Sequence, residues 1–526
     1  MAAKLPATPP VRPTGAPLGG GSKRSPFDSR HTLVLLLVAF GLFAWQFHVQ
    51  LGTSEVARLE DPARTASQFT ESFFELTANM VTPELTPEVR AAAAKALGSV
   101  RDQLSEAASA ADGARAVTLA RDAHELGIRA LVLEADGAAL RRAAPSRASD
   151  GDEDDLDDPA DVGRTDRRVQ DLLISYAREQ RNDPLLDAVL RVHLPGGPSA
   201  PDAGPDSNRT PVPRGQIEAA EELAGTTSGD LLLAGLLRAD GRPQDAAAVD
   251  AARERRAKQR GERLTRFSIL AVALALVGAA ALVAFGFRGP ASQRLGRAEF
   301  PPGDSAALGL DLFARALFGF LAVSFAVSAL AEQLGAKPPL GATGPIAWGA
   351  LIVFALRYVG PGWRRTVASF GLPLGKSALL RLAPFVLAVF AVQSVVFVAL
   401  MLLSGLGLGG ENSLNATTEL WLIGTDLERL GLALEAVVWA PLFEELAFRG
   451  LLFGALRSRM TFTGAALSSS LLFAAVHPYG APGLVGLTWL GVVFCWSYER
   501  SRSLWPAIIA HALHNGATLA FLGLMR

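Results

Sequence analysis

The run Pro441-Leu-Phe-Glu444-Glu445-Leu-Ala-Phe-Arg449-Gly450 sits inside residues 430–457, a stretch apolar and long enough to cross a hydrocarbon core of about 30 Å. Ionisable side chains at that depth are expensive to bury and mark functional positions by default. On a helix Glu445 and Arg449, four apart, share a face and can pair. Glu444 is turned about 100° from Glu445, so the two carboxylates cannot face one point equally. A division of labour follows: Arg449 neutralises Glu445, and Glu444 is left to face a cavity. A buried ion pair that merely fixes helix packing accounts for Glu445 and Arg449 and leaves Glu444 unexplained.

Apolar runs recur near 267–287, 308–331, 342–359, 378–404, 462–477, 483–499 and 503–523, and one more precedes them at 32–51. Backbone polar groups in lipid must be satisfied within the segment, so these runs are helices. The fold class expected is all-α, a polytopic transmembrane helix bundle of about nine spans with a helical extramembrane domain. Basic residues orient it. Lys4, Arg12, Lys23, Arg24 and Arg30 precede the first span, Arg288, Arg294 and Arg297 follow the second, and Arg364, Arg365 and Lys376 lie between the fourth and fifth. Arg457 and Arg459 follow the sixth, and Arg500 and Arg502 the eighth. Nine alternating spans put all of these on the cytoplasmic side. The cluster Arg253, Arg255, Arg256, Lys258, Arg260, Arg263 and Arg266 falls outside in this arrangement and disagrees with it.

The domain reading is a disordered basic tail over 1–30, a retained anchor over 31–51, a mostly helical hydrophilic domain over 52–265 with linkers near 145–165 and 195–215, and a polytopic membrane domain over 266–526. Within the hydrophilic domain Phe69, Phe73 and Leu76 recur at amphipathic-helix spacing, and Leu231–Ala252 reads as helix, Gly-Arg-Pro turn, helix. His124 and His193 are isolated and suggest no site. Half of the chain is apolar and the net charge of -1 hides a segregation of charge toward the N-terminal half. No strongly basic face points to nucleic acid. The single cysteine, Cys495, lies in an apolar run, which excludes an internal disulfide and a cysteine-rich zinc site. A bias to Ala, Gly and Arg points to a bacterial source.

Two further spans carry polar residues. The seventh ends Phe473-Ala-Ala-Val-His477-Pro478, and the ninth contains His511-Ala-Leu-His514-Asn515. His511 and Asn515 share a face. Three of the seven histidines thus fall in the last fifty residues, within or at the ends of apolar helices. These groups suffice for hydrolysis: a desolvated carboxylate as general base on water, histidine to share that work or protonate a leaving amine, and a second histidine with asparagine as donors to an oxyanion. A metal variant is open as well, with Glu444, His477 and His511 as ligands of a divalent ion such as zinc and water in the fourth position. There is no His-Glu-x-x-His, no Gly-x-Ser-x-Gly and no phosphate-binding Gly-x-x-x-x-Gly-Lys loop.

Glu444-Glu445-x-x-x-Arg449, Phe473-x-x-x-His477 and His511-x-x-x-Asn515, in that order across about 428–523, resemble the motifs of the CPBP family. That family includes the CAAX prenyl endoproteases of the Rce1 type and the bacterial Abi, or bacteriocin-immunity, proteins. The resemblance implies an intramembrane endopeptidase. Glu444 with His477 would activate water, Glu445 and Arg449 would support the site, and His511 with Asn515 would form the oxyanion hole. His514 matches no motif position. The resemblance leaves a metal-dependent and a metal-free glutamate mechanism both open. The expected partners are membrane lipid and a membrane-associated protein or peptide substrate. The expected location is a bacterial inner membrane, with the N-terminus cytoplasmic and 52–265 periplasmic or extracellular. A non-catalytic scaffold or self-immunity protein of the same fold is the alternative. A transporter is disfavoured, because the polar residues do not fall into two matching halves.

Overall fold

A computed structural model describes residues 57, 59–81, 86–143, 184–193, 211–286, 295, 309–320, 326, 330, 333, 370–372, 376–405, 415–477 and 481–526. Its described residues are helical throughout, connected by turns, apart from a single bridge between Ala224 and Thr226. The tail, the first apolar run and the linker near 145–165 lie outside them, as does most of the linker near 195–215.

Among the described residues the hydrophilic half shows the helices Pro62–Val81 (α1), Pro87–Ala110 (α2), Gly113–Ala143 (α3), Pro184–His193 (α4), Arg214–Glu222 (α5) and Thr227–Ala239 (α6), before the long helix Pro243–Gly286 (α7). Proline starts α2, where its missing N–H goes unused, and the Thr86 hydroxyl caps the same turn by accepting from Val89 N–H. The α2–α3 hairpin closes over Leu97, Leu104 and Leu126, all fully buried. The expected helix–turn–helix over 231–252 is present. Gly241 supplies the positive φ of 75° that ends α6, and α7 begins at Pro243.

A buried polar network binds this domain to α7. Glu71 accepts from Ser228 N–H at 2.8 Å and from Ser228 Oγ at 2.6 Å. Glu75 accepts from the Thr227 hydroxyl and, at 2.6 Å, from Arg260 Nη1. Arg129 donates to Glu125 at 2.8 Å and to Thr226 Oγ1 at 2.7 Å. Burial pushes the carboxyls of Glu71 and Glu75 above their ordinary value of 4.5, although Arg129 opposes the shift at Glu71 and Arg260, Arg253 and Arg256 oppose it at Glu75. A carboxyl with a higher pKa folded than unfolded holds more protons in the native state. Its contribution is therefore greatest below pH 4.5 and declines as pH rises through the folded pKa. Glu71→Gln is expected to raise the melting temperature relative to wild type as pH increases from 4.5 to 7, and to leave it unchanged at lower pH. A pH-independent difference between the two melting curves would contradict this.

α7 runs unbroken from this network through the second apolar run: 44 residues, or about 66 Å. The sequence placed only its second half, from 267, in lipid. There Ile269, Leu270, Val272, Leu276, Val277 and Val283 are each more than half exposed, a row of large apolar side chains of the kind that lipid covers. In its first half Arg253, Arg256 and Arg260 pair with Asp250, Asp230 and Glu75. Part of the basic cluster that disagreed with the charge-based orientation is thus neutralised inside the domain.

Beyond α7 come residues 309–320 (α8), Lys376–Gly405 (α9), Ala416–Ile423 (α10), the composite helix from Asp426 to Arg457 (α11), Phe462–Ala475 (α12), Ala481–Ser501 (α13) and Trp505–Leu524 (α14). By length and composition two described helices can cross a membrane, Pro243–Ala284 and Trp505–Leu524, while Leu380–Val395 and Phe462–Ala475 are shorter apolar helices. The nine spans are matched only in part. The first and fourth fall outside the described residues, and the third is described chiefly as 309–320. At 14 residues, α12 is about 21 Å long, short of the hydrocarbon core.

The bundle closes around α11. Phe313, Phe448, Phe453, Phe473 and Tyr498 are fully buried in one cluster. α12 and α13 approach closely because Gly491 has no Cβ; one placed there would stand 2.6 Å from the Ser470 side chain. The turn at Phe370 docks on the start of α14 through Leu504 N–H to Phe370 O at 3.2 Å and Trp505 Nε1 to Leu372 O at 2.7 Å. Helix α1 of the hydrophilic half touches the opposite end of α14. Phe69 and Phe73 pack with Leu264, Phe267, Leu422, Leu519 and Leu522, and Asp61 N–H reaches Glu419 Oε1 at 2.8 Å.

Candidate active site

α11 begins at a capping box, in which Thr425 Oγ1 accepts from Glu428 N–H at 3.3 Å and Glu428 accepts from Thr425 N–H at 2.7 Å. It is not a regular helix. α-turns from Asp426 to Leu434 give way to π-helix over Glu435–Trp439, return over Ala440–Glu444, widen again over Glu445–Phe453 and finish over Gly454–Arg457. Such wide turns are rare and concentrate at functional sites.

Glu445 and Arg449 are both sealed from solvent, with Arg449 Nη1 3.0 Å from Glu445 Oε1. The guanidinium lies 4.4 Å from the Phe473 ring centroid and 5.2 Å from that of Phe494. The two ring faces take up charge that Arg449 Nε and Nη2 do not deliver through hydrogen bonds among the described residues. His511 bridges the glutamates: Nδ1 is 2.9 Å from Glu445 Oε1, and Nε2 is 3.9 Å from Glu444 Oε2. Glu444 keeps 20% of its side chain accessible and Glu445 none. Arg449 thus pairs with Glu445, as the four-residue spacing predicts, and the adjacent carboxylates differ in exposure.

His477 Nδ1 lies 2.7 Å from Phe473 O. A carbonyl only accepts, so the neutral ring carries its proton on Nδ1 and has Nε2 unprotonated. The Phe473 ring touches His477 at 4.8 Å between centroids and His511 at 6.1 Å, besides lying under Arg449. One aromatic side chain thus gathers residues from all three motifs. Asn515 does not sit on the glutamates: its Nδ2 donates to Ala436 O at 2.7 Å.

Residues 426–517 match the family model of the type II CAAX prenyl endopeptidase Rce1-like proteins. This segment is a CPBP-family domain. A curated protein of Bacillus subtilis (strain 168), named "Putative membrane peptidase YdiL", is 31% identical over 142 residues, which are 27% of this chain and 55% of that protein. The chain thus spans about half the length of this relative. No solved structure matches it.

Among the described residues no three His, Cys, Asp or Glu side chains are grouped to hold an ion. His511 places Nδ1 on Glu445 and has Nε2 on the side of Glu444. Phe494, which stacks on His511 at 5.3 Å, had no signal in the sequence, being one apolar residue among many. Glu435 is a charge within an apolar run that belongs to none of the three motifs. It opens the first π stretch, half-buried on the helix that carries Glu444. His514 stands outside the motifs, and its carbonyl accepts from Thr518 Oγ1 at 3.0 Å.

Proposed function

We propose that the chain is an intramembrane endopeptidase that hydrolyses a peptide bond of a membrane-associated protein or peptide through water activated by Glu444. The observation that carries this reading is the asymmetry of the glutamate pair. Glu445 is sealed and paired with Arg449, while Glu444 remains partly accessible and 3.9 Å from His511. A scaffold or immunity protein needs the buried pair and has no use for Glu444. Glu444 takes a proton from water, the oxygen bonds to the carbonyl carbon, and the tetrahedral intermediate collapses with cleavage of the C–N bond. The proton returns to the leaving amine from Glu444 or from His477, whose unprotonated Nε2 relays it. The buried Glu445–Arg449 pair holds His511 through Nδ1 and so orients the imidazole beside Glu444. Comparative membrane proteomics of a wild-type and a Glu444→Ala strain tests the reading: full-length membrane precursors accumulate in the variant. Identical proteomes would defeat it.

The proposal includes a nine-span arrangement in a bacterial inner membrane, with a cytoplasmic N-terminus and residues 52–265 on the far side. Neutralisation of Arg253, Arg256 and Arg260 by Asp250, Asp230 and Glu75 supports it, since paired arginines weigh less in the charge balance. Alkaline phosphatase fused near residue 200 is expected to be active and green fluorescent protein dark. The opposite pattern reverses the orientation.

A further inference from the structure

In the first π stretch of α11, Ala440 N–H bonds to Glu435 O, five residues back, and to no other carbonyl. The same register would hand Ala436 O to the N–H of residue 441. Residue 441 is proline and has none. Ala436 O is thereby left without a partner from its own helix at a part-buried position, where an unsatisfied carbonyl is costly. The group that satisfies it comes from another helix: Asn515 Nδ2, at 2.7 Å. The neighbouring position on α14, Gly516, faces Val437 of the same π stretch. His511, one turn earlier on the same face of α14, grips Glu445. α14 is thus bolted to α11 at two points, with Glu444 between them.

We infer that Asn515 is a positioning residue that holds the π turn open through the carbonyl that Pro441 leaves unpaired, and thereby sets the phase of Glu444. The alternative backbone state is simple. Without the Asn515 amide, Ala440 N–H can switch from Glu435 O to Ala436 O, converting the π turn to an ordinary one. That removes one residue from the turn and rotates everything downstream by about 100° with a shift of about 1.5 Å. Glu444 would turn away from His511. This assignment rests on the protease reading above, because it concerns where Glu444 points.

The test exploits the proline. Substituting Pro441→Ala restores an N–H at the position where the π register needs one, so the turn no longer depends on Asn515. The assay uses the full chain in proteoliposomes with a fluorogenic transmembrane peptide that the wild type cleaves. Asn515→Ala is expected to lower kcat at least thirtyfold with KM unchanged, and Asn515→Ala/Pro441→Ala to recover to within about threefold of Pro441→Ala alone. If Asn515→Ala does not accumulate, Asn515→Leu removes the donor at similar size. A substrate-independent measurement accompanies it. Cys495 is buried, so a Glu444→Cys chain reports labelling by a water-soluble maleimide at one position. Labelling is expected to fall at least tenfold when Asn515→Ala is added and to return with Pro441→Ala. A double variant as slow as Asn515→Ala, or labelling indifferent to residue 515, overturns the inference. A Glu444→Ala chain in the same assay separates the two levels. If it still cleaves, the protease reading falls. If it is dead and Pro441→Ala rescues nothing, only the Asn515 assignment falls.

Discussion

Glu444→Ala is expected to reduce peptide cleavage by roughly 10²–10⁴-fold while the protein accumulates at near wild-type level. The side chain is the partly accessible member of the pair, so its removal leaves no buried charge uncompensated. His477→Ala and His511→Ala are expected to cause losses of similar order. The triple variant should be hardly worse than any single one, because groups that act on one proton transfer fail as a unit. Turnover of a reconstituted substrate, together with solubilised yield, checks both halves of the expectation. Activity within tenfold of wild type in Glu444→Ala would remove Glu444 from the reaction.

Arg449→Ala is expected to do the reverse and damage the fold before the chemistry. Both members of the Glu445–Arg449 pair are fully buried. Removing the arginine leaves Glu445 a fully buried carboxylate with only the His511 Nδ1 hydrogen bond to hold it, a loss of about 3–5 kcal/mol. The lost contacts of the guanidinium with Phe473 and Phe494 add to that. Melting temperature and detergent-solubilised yield should fall well below those of Glu444→Ala. Arg449→Met combined with Glu445→Gln removes both charges at similar volume and should recover much of the stability. It should not recover cleavage, since His511 then loses the carboxylate that orients it. Equal stability of the Arg449→Ala and Glu444→Ala chains would show that the pair contributes nothing to folding.

The legible part of the site was what local spacing controls. Glu445 and Arg449 are four apart on one helix, so a pair could be read without coordinates, and it forms at 3.0 Å. His511 and Asn515 share a face for the same reason, and both do reach α11. The carboxylate-to-imidazole contacts were not legible, because Glu444 and His511 are separated by 67 positions and meet only through helix packing. Nor was Phe494, whose role as a plate beside His511 and Arg449 depends on how α13 lies against α14. The π turns have no local sequence signal either: a 3.6-residue period describes 430–457 as a regular helix, whereas the real helix gains residues at two places.

Hydropathy and spacing by themselves determined that this chain is helical, that its polar residues in apolar runs come in three ordered motifs, and that adjacent glutamates must differ in environment. These follow from local rules: unsatisfied backbone is intolerable in lipid, and side chains three or four apart share a helix face. Tertiary structure alone decided which groups meet. It brought His511 onto both glutamates, set the Phe473 ring among Arg449, His477 and His511, and gave Asn515 the carbonyl of Ala436. It also made α7 one rod from the Glu75–Arg260 pair to the exposed apolar row that ends at Val283. Contacts between distant helices depend on crossing angle and axial register, which are set by the packing of whole surfaces and are encoded at no single position.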